Sequence, residues 1–147
     1  MLLEPSAKLE RTFLLIGALA AFLAVALGAF GAHALRGAIP PDRLVIFETA
    51  ARYHMYHALA LLVVALLVRR RLGRAAPAAG WLFAFGIFVF SGSLYALALT
   101  GVRAWGAVTP FGGLAWLIAW VLVAFSSARG RSIEAEAAAG TRRDTAS

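Results

Sequence analysis

The sequence predicts an all-α fold, an integral membrane four-helix bundle with short loops. Three observations lead there. Apolar stretches recur at 12–34, 49–68, 78–99 and 108–127, each close to the roughly 20 residues that cross about 30 Å of hydrocarbon. Hydrophobic residues make up 62% of the chain and charged ones 14%, against about 45–50% and about 25% in an average soluble domain. Basic residues gather outside the stretches. Lys8, Arg11, Arg69, Arg70, Arg71, Arg74, Arg129, Arg131, Arg142 and Arg143 flank one side of a four-pass topology, and only Arg36, Arg43, Arg52 and Arg103 fall on the other. The positive-inside rule then expects both termini in the cytoplasm.

That same distribution explains the formal net charge of +7 without nucleic acid. At 147 residues the chain has no room for a separate soluble domain beside four spans. The expected division is a cytoplasmic N-terminus over 1–11, the transmembrane domain over 12–127 and a disordered cytoplasmic tail over 128–147, where the sequence turns small, polar and aperiodic.

The first stretch follows Lys8 and Arg11, and Ala32-His33-Ala34 has the small-x-small form of a leader cleavage site. It exceeds the roughly 7 to 15 apolar residues of a signal peptide, so it is expected to remain as a helix. Within it Ala20, Ala24 and Gly28 recur every four residues and make a stripe on which a neighbouring backbone can approach. Gly31, Gly92, Gly112 and Gly113 are further candidates for close helix packing.

Gly37 to Asp42, with Pro40 and Pro41, breaks the chain before the second span, and Asp42 is the expected N-cap. The second helix is expected to begin well before its apolar part, its interfacial portion carrying Glu48 and Arg52 four residues apart, an exposed pair worth roughly 0.2–0.5 kcal/mol. Arg69 to Arg74 with Pro77 forms a basic turn. The third span carries Trp81, Phe83, Phe85, Phe88 and Phe90, expected against lipid and neighbouring helices. Residues 101–106 form the last loop, with Trp105 as an interface anchor. Thr109 and Pro110 are read as the cap and first turn of the fourth span.

Inside the spans the polar side chains collect towards one end. His33, Tyr53, His54, Tyr56, His57, Ser91, Ser93, Tyr95 and Thr109 are all predicted in the extracytoplasmic half. His54 and His57, three apart, share a helix face, and an ionisable group within a membrane is costly unless partnered. Two uses fit. The imidazoles can fasten helices through hydrogen bonds worth roughly 0.6–2 kcal/mol each. Alternatively His33, His54 and His57 can bind a metal, haem or proton, with Glu48 and Arg52 setting the charge. Paired histidines are a weak ligand signal, so neither metal nor cofactor is assigned. The chain has no cysteine, which removes disulfides, thiolate zinc sites and iron–sulfur clusters. Paired carboxylates, a phosphate loop and a nucleophile elbow are missing from the sequence, so enzymatic activity is not expected.

Gly28-Ala29-Phe30-Gly31-Ala32-His33, Phe47-Glu48-Thr49-Ala50, Tyr53 to Ala60, Phe90 to Tyr95 and Thr109 to Gly113 together resemble the domain of unknown function 423 family. These are small bacterial four-span membrane proteins related to a small eukaryotic transmembrane family. The resemblance covers roughly residues 13–125 and implies a multi-pass protein of the bacterial cytoplasmic (inner) membrane. It carries no activity with it. The expected function is therefore non-enzymatic, by helix–helix association as an accessory or assembly component or a homo-oligomer. The partners are the lipid bilayer and a membrane protein or second copy, with no nucleic acid. The alternative is small-molecule, ion, metal or haem binding, or minimal transport, through the polar cluster.

Overall fold

The computed structural model describes residues 4–70 and 75–144, with side chains described as far as 126. The basic turn Arg71 to Arg74 lies outside the described residues, as do the side chains of the four arginines beyond 126. The chain is all-helical. α1 runs Pro5–Phe30 and passes into a π turn, Gly31–Leu35. α2 runs Pro41–Arg69. α3, Ala76–Gly86, continues through a second π turn, Ile87–Ser91, into α4, Gly92–Thr100, and α5 runs Ala104–Asp144. Four helical segments are long and apolar enough to cross a membrane: Ser6–Leu35, Pro41–Arg69, Ala76–Thr100 and Ala104–Ser126.

The helix ends differ from the sequence expectation in ways local chemistry explains. Pro5 stands in the first turn of α1, where a missing N–H costs nothing, so helix already begins within the 1–11 segment that precedes the first apolar stretch. Pro40 and not Asp42 occupies the N-cap of α2; Asp42 lies in the first turn, where a carboxylate complements the helix dipole. The last loop closes at Arg103, so Trp105 is helical and Thr109 and Pro110 sit inside α5 instead of opening it. Beyond Ser127 the backbone stays helical to Asp144 where a disordered tail is expected. Ala135, Glu136, Ala137, Ala138 and Ala139 are strong helix formers, and local propensity prevails there over the missing periodicity.

Both short corners turn on glycine. Gly37 has φ +82° and Gly101 φ +75°, left-handed values that an L side chain rarely adopts. Gly101 closes α4 with its N–H donating to the Leu97 carbonyl at 2.8 Å.

Packing follows two hairpins. α1 lies along α2, α5 lies along α3 and α4, and α2 joins the halves by packing on α3, the second π turn and α4. Among the described residues α1 and α5 do not meet. A continuous core of Phe13, Leu61, Val64, Phe83, Trp116 and Ala119 fills the middle. Small residues set its spacing. A Cβ at Gly17 would lie 2.8 Å from Leu62, and one at Gly80 would lie within the Phe13 ring contact at 2.5 Å. In lipid, where apolar side chains gain little by leaving their surroundings, this close approach of backbones is what holds helices together. Ala20 and Ala24 are buried, Gly28 has open space beyond its Cβ position, and a Cβ at Gly31 would meet the Phe47 ring at 2.9 Å.

Because α1 and α5 stand apart on opposite flanks, grooves open beside α2, and two of them reach its buried histidines. One, of ≈ 680 Å³, runs between α2 and α5. The other, of ≈ 420 Å³, runs between α1 and the third span.

Candidate functional site: a split polar seam

His54 and His57 fall near the middle of α2 and are both 6% exposed. Three residues apart, they sit about 60° apart around the helix axis, and that offset sends them to opposite sides of the seam with the third span. His54 lines the groove beside α1, and His57 lines the groove beside α5. The single cluster expected from the sequence is thus divided into three contacts.

The first is built on His57. Its Nδ1–H donates to the Tyr53 carbonyl at 2.8 Å, and its Nε2 accepts from the Trp120 indole N–H at 3.4 Å. A carbonyl can only accept and an indole N–H can only donate, so these partners select the neutral Nδ1–H tautomer. The ring lies flat on Trp116, with centroids 3.5 Å apart and planes 2° apart. Trp116 in turn donates its indole N–H to the Phe83 carbonyl at 3.2 Å. That carbonyl also accepts from the Ile87 N–H at the start of the second π turn, and its second lone pair takes the indole. Gly86 makes this approach possible, since a Cβ there would run into the Trp116 indole.

The second contact joins His54 to Tyr95, whose hydroxyl is 3.4 Å from His54 Nδ1. Phe47 packs on the Tyr95 ring at 4.8 Å. His54 Nε2 has no hydrogen-bond partner among the described residues.

The third ties the third span to α5. Ser93 Oγ and Thr109 Oγ1 are 2.8 Å apart; Ser93 Oγ also lies 3.0 Å from the Phe90 carbonyl, and Thr109 Oγ1 lies 3.4 Å from that of Trp105. Each hydroxyl has one proton. The distances favour Ser93 donating to Phe90 and Thr109 donating to Ser93, with the long Trp105 contact given up. Replacing Ser93 by alanine or Thr109 by valine is expected to lower stability by about 0.6–2 kcal/mol. Denaturing-detergent titration followed by circular dichroism measures it, and the double variant should cost no more than the larger single one.

The remaining predicted residues lie elsewhere. His33 is exposed on the first π turn, and Glu48 and Arg52 are exposed on α2. Tyr53 and Tyr56 pack edge to face at 5.8 Å on the rim of the α2–α5 groove. Ser91 is buried, and its hydroxyl has no partner among the described residues. Gly92 is exposed, a Cβ at Gly112 would lie 2.5 Å from the backbone N of Phe90, and one at Gly113 would make ordinary contact with the Phe90 ring at 3.7 Å. No group of three or more metal-ligating side chains occurs among the described residues.

Sequence reasoning missed Trp116, Trp120 and Gly86. Trp116 and Trp120 are four apart on one helix face, which placed them where an imidazole could be sandwiched. Nothing local to Gly86 foretells its role, because the indole that needs the space arrives from another span.

The family model described as a protein of unknown function (DUF423) matches residues 27–113, a stretch that contains the first π turn, both buried histidines and the Ser93–Thr109 contact. The chain belongs to the DUF423, or UPF0382, family of membrane proteins. It is 47% identical over 120 residues to the UPF0382 membrane protein YwdK of Bacillus subtilis, covering 81% of this chain and 98% of that one. To the UPF0382 membrane protein SERP0230 of Staphylococcus epidermidis it is 46% identical over 117 residues, 80% of this chain and 95% of the relative. The UPF0382 membrane protein SAB0533 of Staphylococcus aureus is 43% identical over 113 residues, 77% of this chain and 92% of its own. No solved structure matches the chain significantly. This is a bacterial multi-pass membrane protein whose surroundings are the lipid bilayer.

Proposed function

We propose that this UPF0382 protein is non-enzymatic and acts by helix–helix association in the inner membrane, with both termini in the cytoplasm. The observation that carries the reading is how the buried polar groups are used. His57 spends both ring nitrogens on its own helix and on α5, and Ser93 closes on Thr109. These groups fasten spans to one another, so their donors and acceptors are taken up within the bundle. A surface open to association is the α2–α5 groove, rimmed by Tyr53, Tyr56, Leu114, Leu117 and Trp120. Large aromatic side chains on such a rim offer contact area at low entropic cost. Orientation rests on the excess of Lys and Arg beside the termini and the 69–74 turn.

The chain has no cysteine, so Leu117→Cys provides one reporter on the groove. Oxidation in native membranes is expected to yield a disulfide-linked dimer, or an adduct with a distinct membrane protein when that partner carries its own thiol. A chain that stays monomeric by sedimentation in nanodiscs and uncrosslinked in its membrane overturns the reading.

A second reading, small-molecule binding, is favoured by one observation: His54 lines the other groove with an unpaired nitrogen. Metal or haem ligation by the three histidines is less well supported, because His33 is exposed on a different segment and His57 has no nitrogen to spare.

A further inference from the structure

The groove between α1 and the third span is lined on α1 from Ile16 to Leu27 and on the facing span from Ala84 to Tyr95. Eleven residue steps along each helix make it about 16 Å long. Its volume of ≈ 420 Å³ lies in the lower part of the range for small-molecule sites, about 300–1,000 Å³. Of the side chains that line it only His54 and Tyr95 are polar; no lysine, arginine, aspartate or glutamate is among them.

His54 is the anomaly. More than nine-tenths of it is buried, Nδ1 faces the Tyr95 hydroxyl, and Nε2 has no partner among the described residues. The Tyr95 hydroxyl can donate to Nδ1, and in that tautomer the neutral imidazole carries its proton on Nε2. A donor left unmade inside hydrocarbon costs about 1–3 kcal/mol, and water is scarce at that depth. An oxygen brought by a ligand removes that cost.

We propose that this groove binds an uncharged single-chain lipid, whose tail lies along α1 and the third span and whose one hydroxyl or carbonyl oxygen accepts a hydrogen bond from His54 Nε2. The proposal rests on the small-molecule reading and names its ligand class. The head is uncharged because no cation lines the groove, and a carboxylate or phosphate drawn below the interface would be desolvated without a counter-charge. One chain is proposed because the volume is too small for two and a bulky headgroup.

The test is photolabelling of the full chain in phospholipid nanodiscs by a diazirine-bearing dodecanol, beside its dodecanoate counterpart. Saturable labelling by the alcohol is expected, mapping to Ala84–Tyr95 and competed by unlabelled dodecanol or by a benzoquinone with a decyl tail. His54→Leu should weaken it about tenfold, the value of one hydrogen bond of roughly 1.4 kcal/mol. Gly92→Leu is the variant that keeps the test open if His54→Leu misfolds. No heavy atom lies within 4 Å of a Cβ at Gly92, so leucine fills open space, favours helix and should abolish labelling. If dodecanoate labels as well as the alcohol or better, and still responds to Gly92→Leu, the uncharged head is wrong while the groove remains a ligand site. If neither probe saturates, or neither substitution alters labelling, the small-molecule reading itself falls.

Discussion

Trp116→Ala is expected to lower the stability of the bundle by about 3–5 kcal/mol, the cost of emptying a large aromatic site in a close-packed core. Three connections go at once. The indole is 4% exposed, stacks on His57, and is the donor to the Phe83 carbonyl. Its loss also bares the His57 ring and removes a hydrogen bond that ties α5 to α3. Titration with sodium dodecyl sulfate, read by far-ultraviolet circular dichroism, measures the loss. Trp116→Phe separates the parts, since it keeps an aromatic face against His57 and deletes the hydrogen bond, which is worth about 0.5–1.5 kcal/mol. A Trp116→Ala loss below about 1 kcal/mol would mean that the stack is an incidental contact.

The second large effect concerns two adjacent glycines with opposite outcomes. At Gly112 a new Cβ would stand 2.5 Å from the Phe90 backbone N and 2.9 Å from its Cα. Backbone cannot swing aside as a side-chain tip can, so Gly112→Ala must push α5 away from the third span. Overpacking of this kind typically costs about 1–3 kcal/mol. The same displacement opens the 2.8 Å contact between Ser93 and Thr109, which lies less than one turn along α5. Gly113→Ala meets only the Phe90 ring at an ordinary 3.7 Å. Helix propensity then governs, and a gain of up to about 1 kcal/mol is expected there. Equal losses at both positions would show that the interface adapts and that the close approach is not needed.

Much of the architecture could be read from the chain, because a membrane imposes a length and a polarity rule on each segment. Four apolar stretches and proline-rich or basic breaks between them lead directly to the four spans. Helix ends were less legible. Thr109 and Pro110 have the chemistry of a first turn, yet Ala104 to Val108 are compatible with helix and extend it beneath them. The tail shows the reverse: residues after 127 lack any apolar period, while their alanines favour helix on their own. For the polar side chains the sequence conveys depth and not azimuth. Tyr95 meets His54 and Ser93 meets Thr109, two pairings between residues that share a level in the bundle. Which groove each histidine enters depends on the angle at which α2 crosses the third span, and neighbouring residues do not encode that angle. The same holds for Trp116, whose place is made by a glycine thirty residues earlier.

Since α1 never touches α5 among the described residues, the molecule consists of two helix pairs, each closed by a turn of a few residues, that share one continuous core. Such a chain has an obvious order of assembly. Each pair can zip locally as it leaves the insertion machinery, and the search in the plane of the membrane reduces to bringing one edge against another. That edge is formed by α2 on one half and by α3 and α4 on the other, and both of its grooves run beside it. Anything that loosened it would let the halves slide or part while each kept its own helices, so inherited defects placed there should yield a protein that inserts normally and fails afterwards.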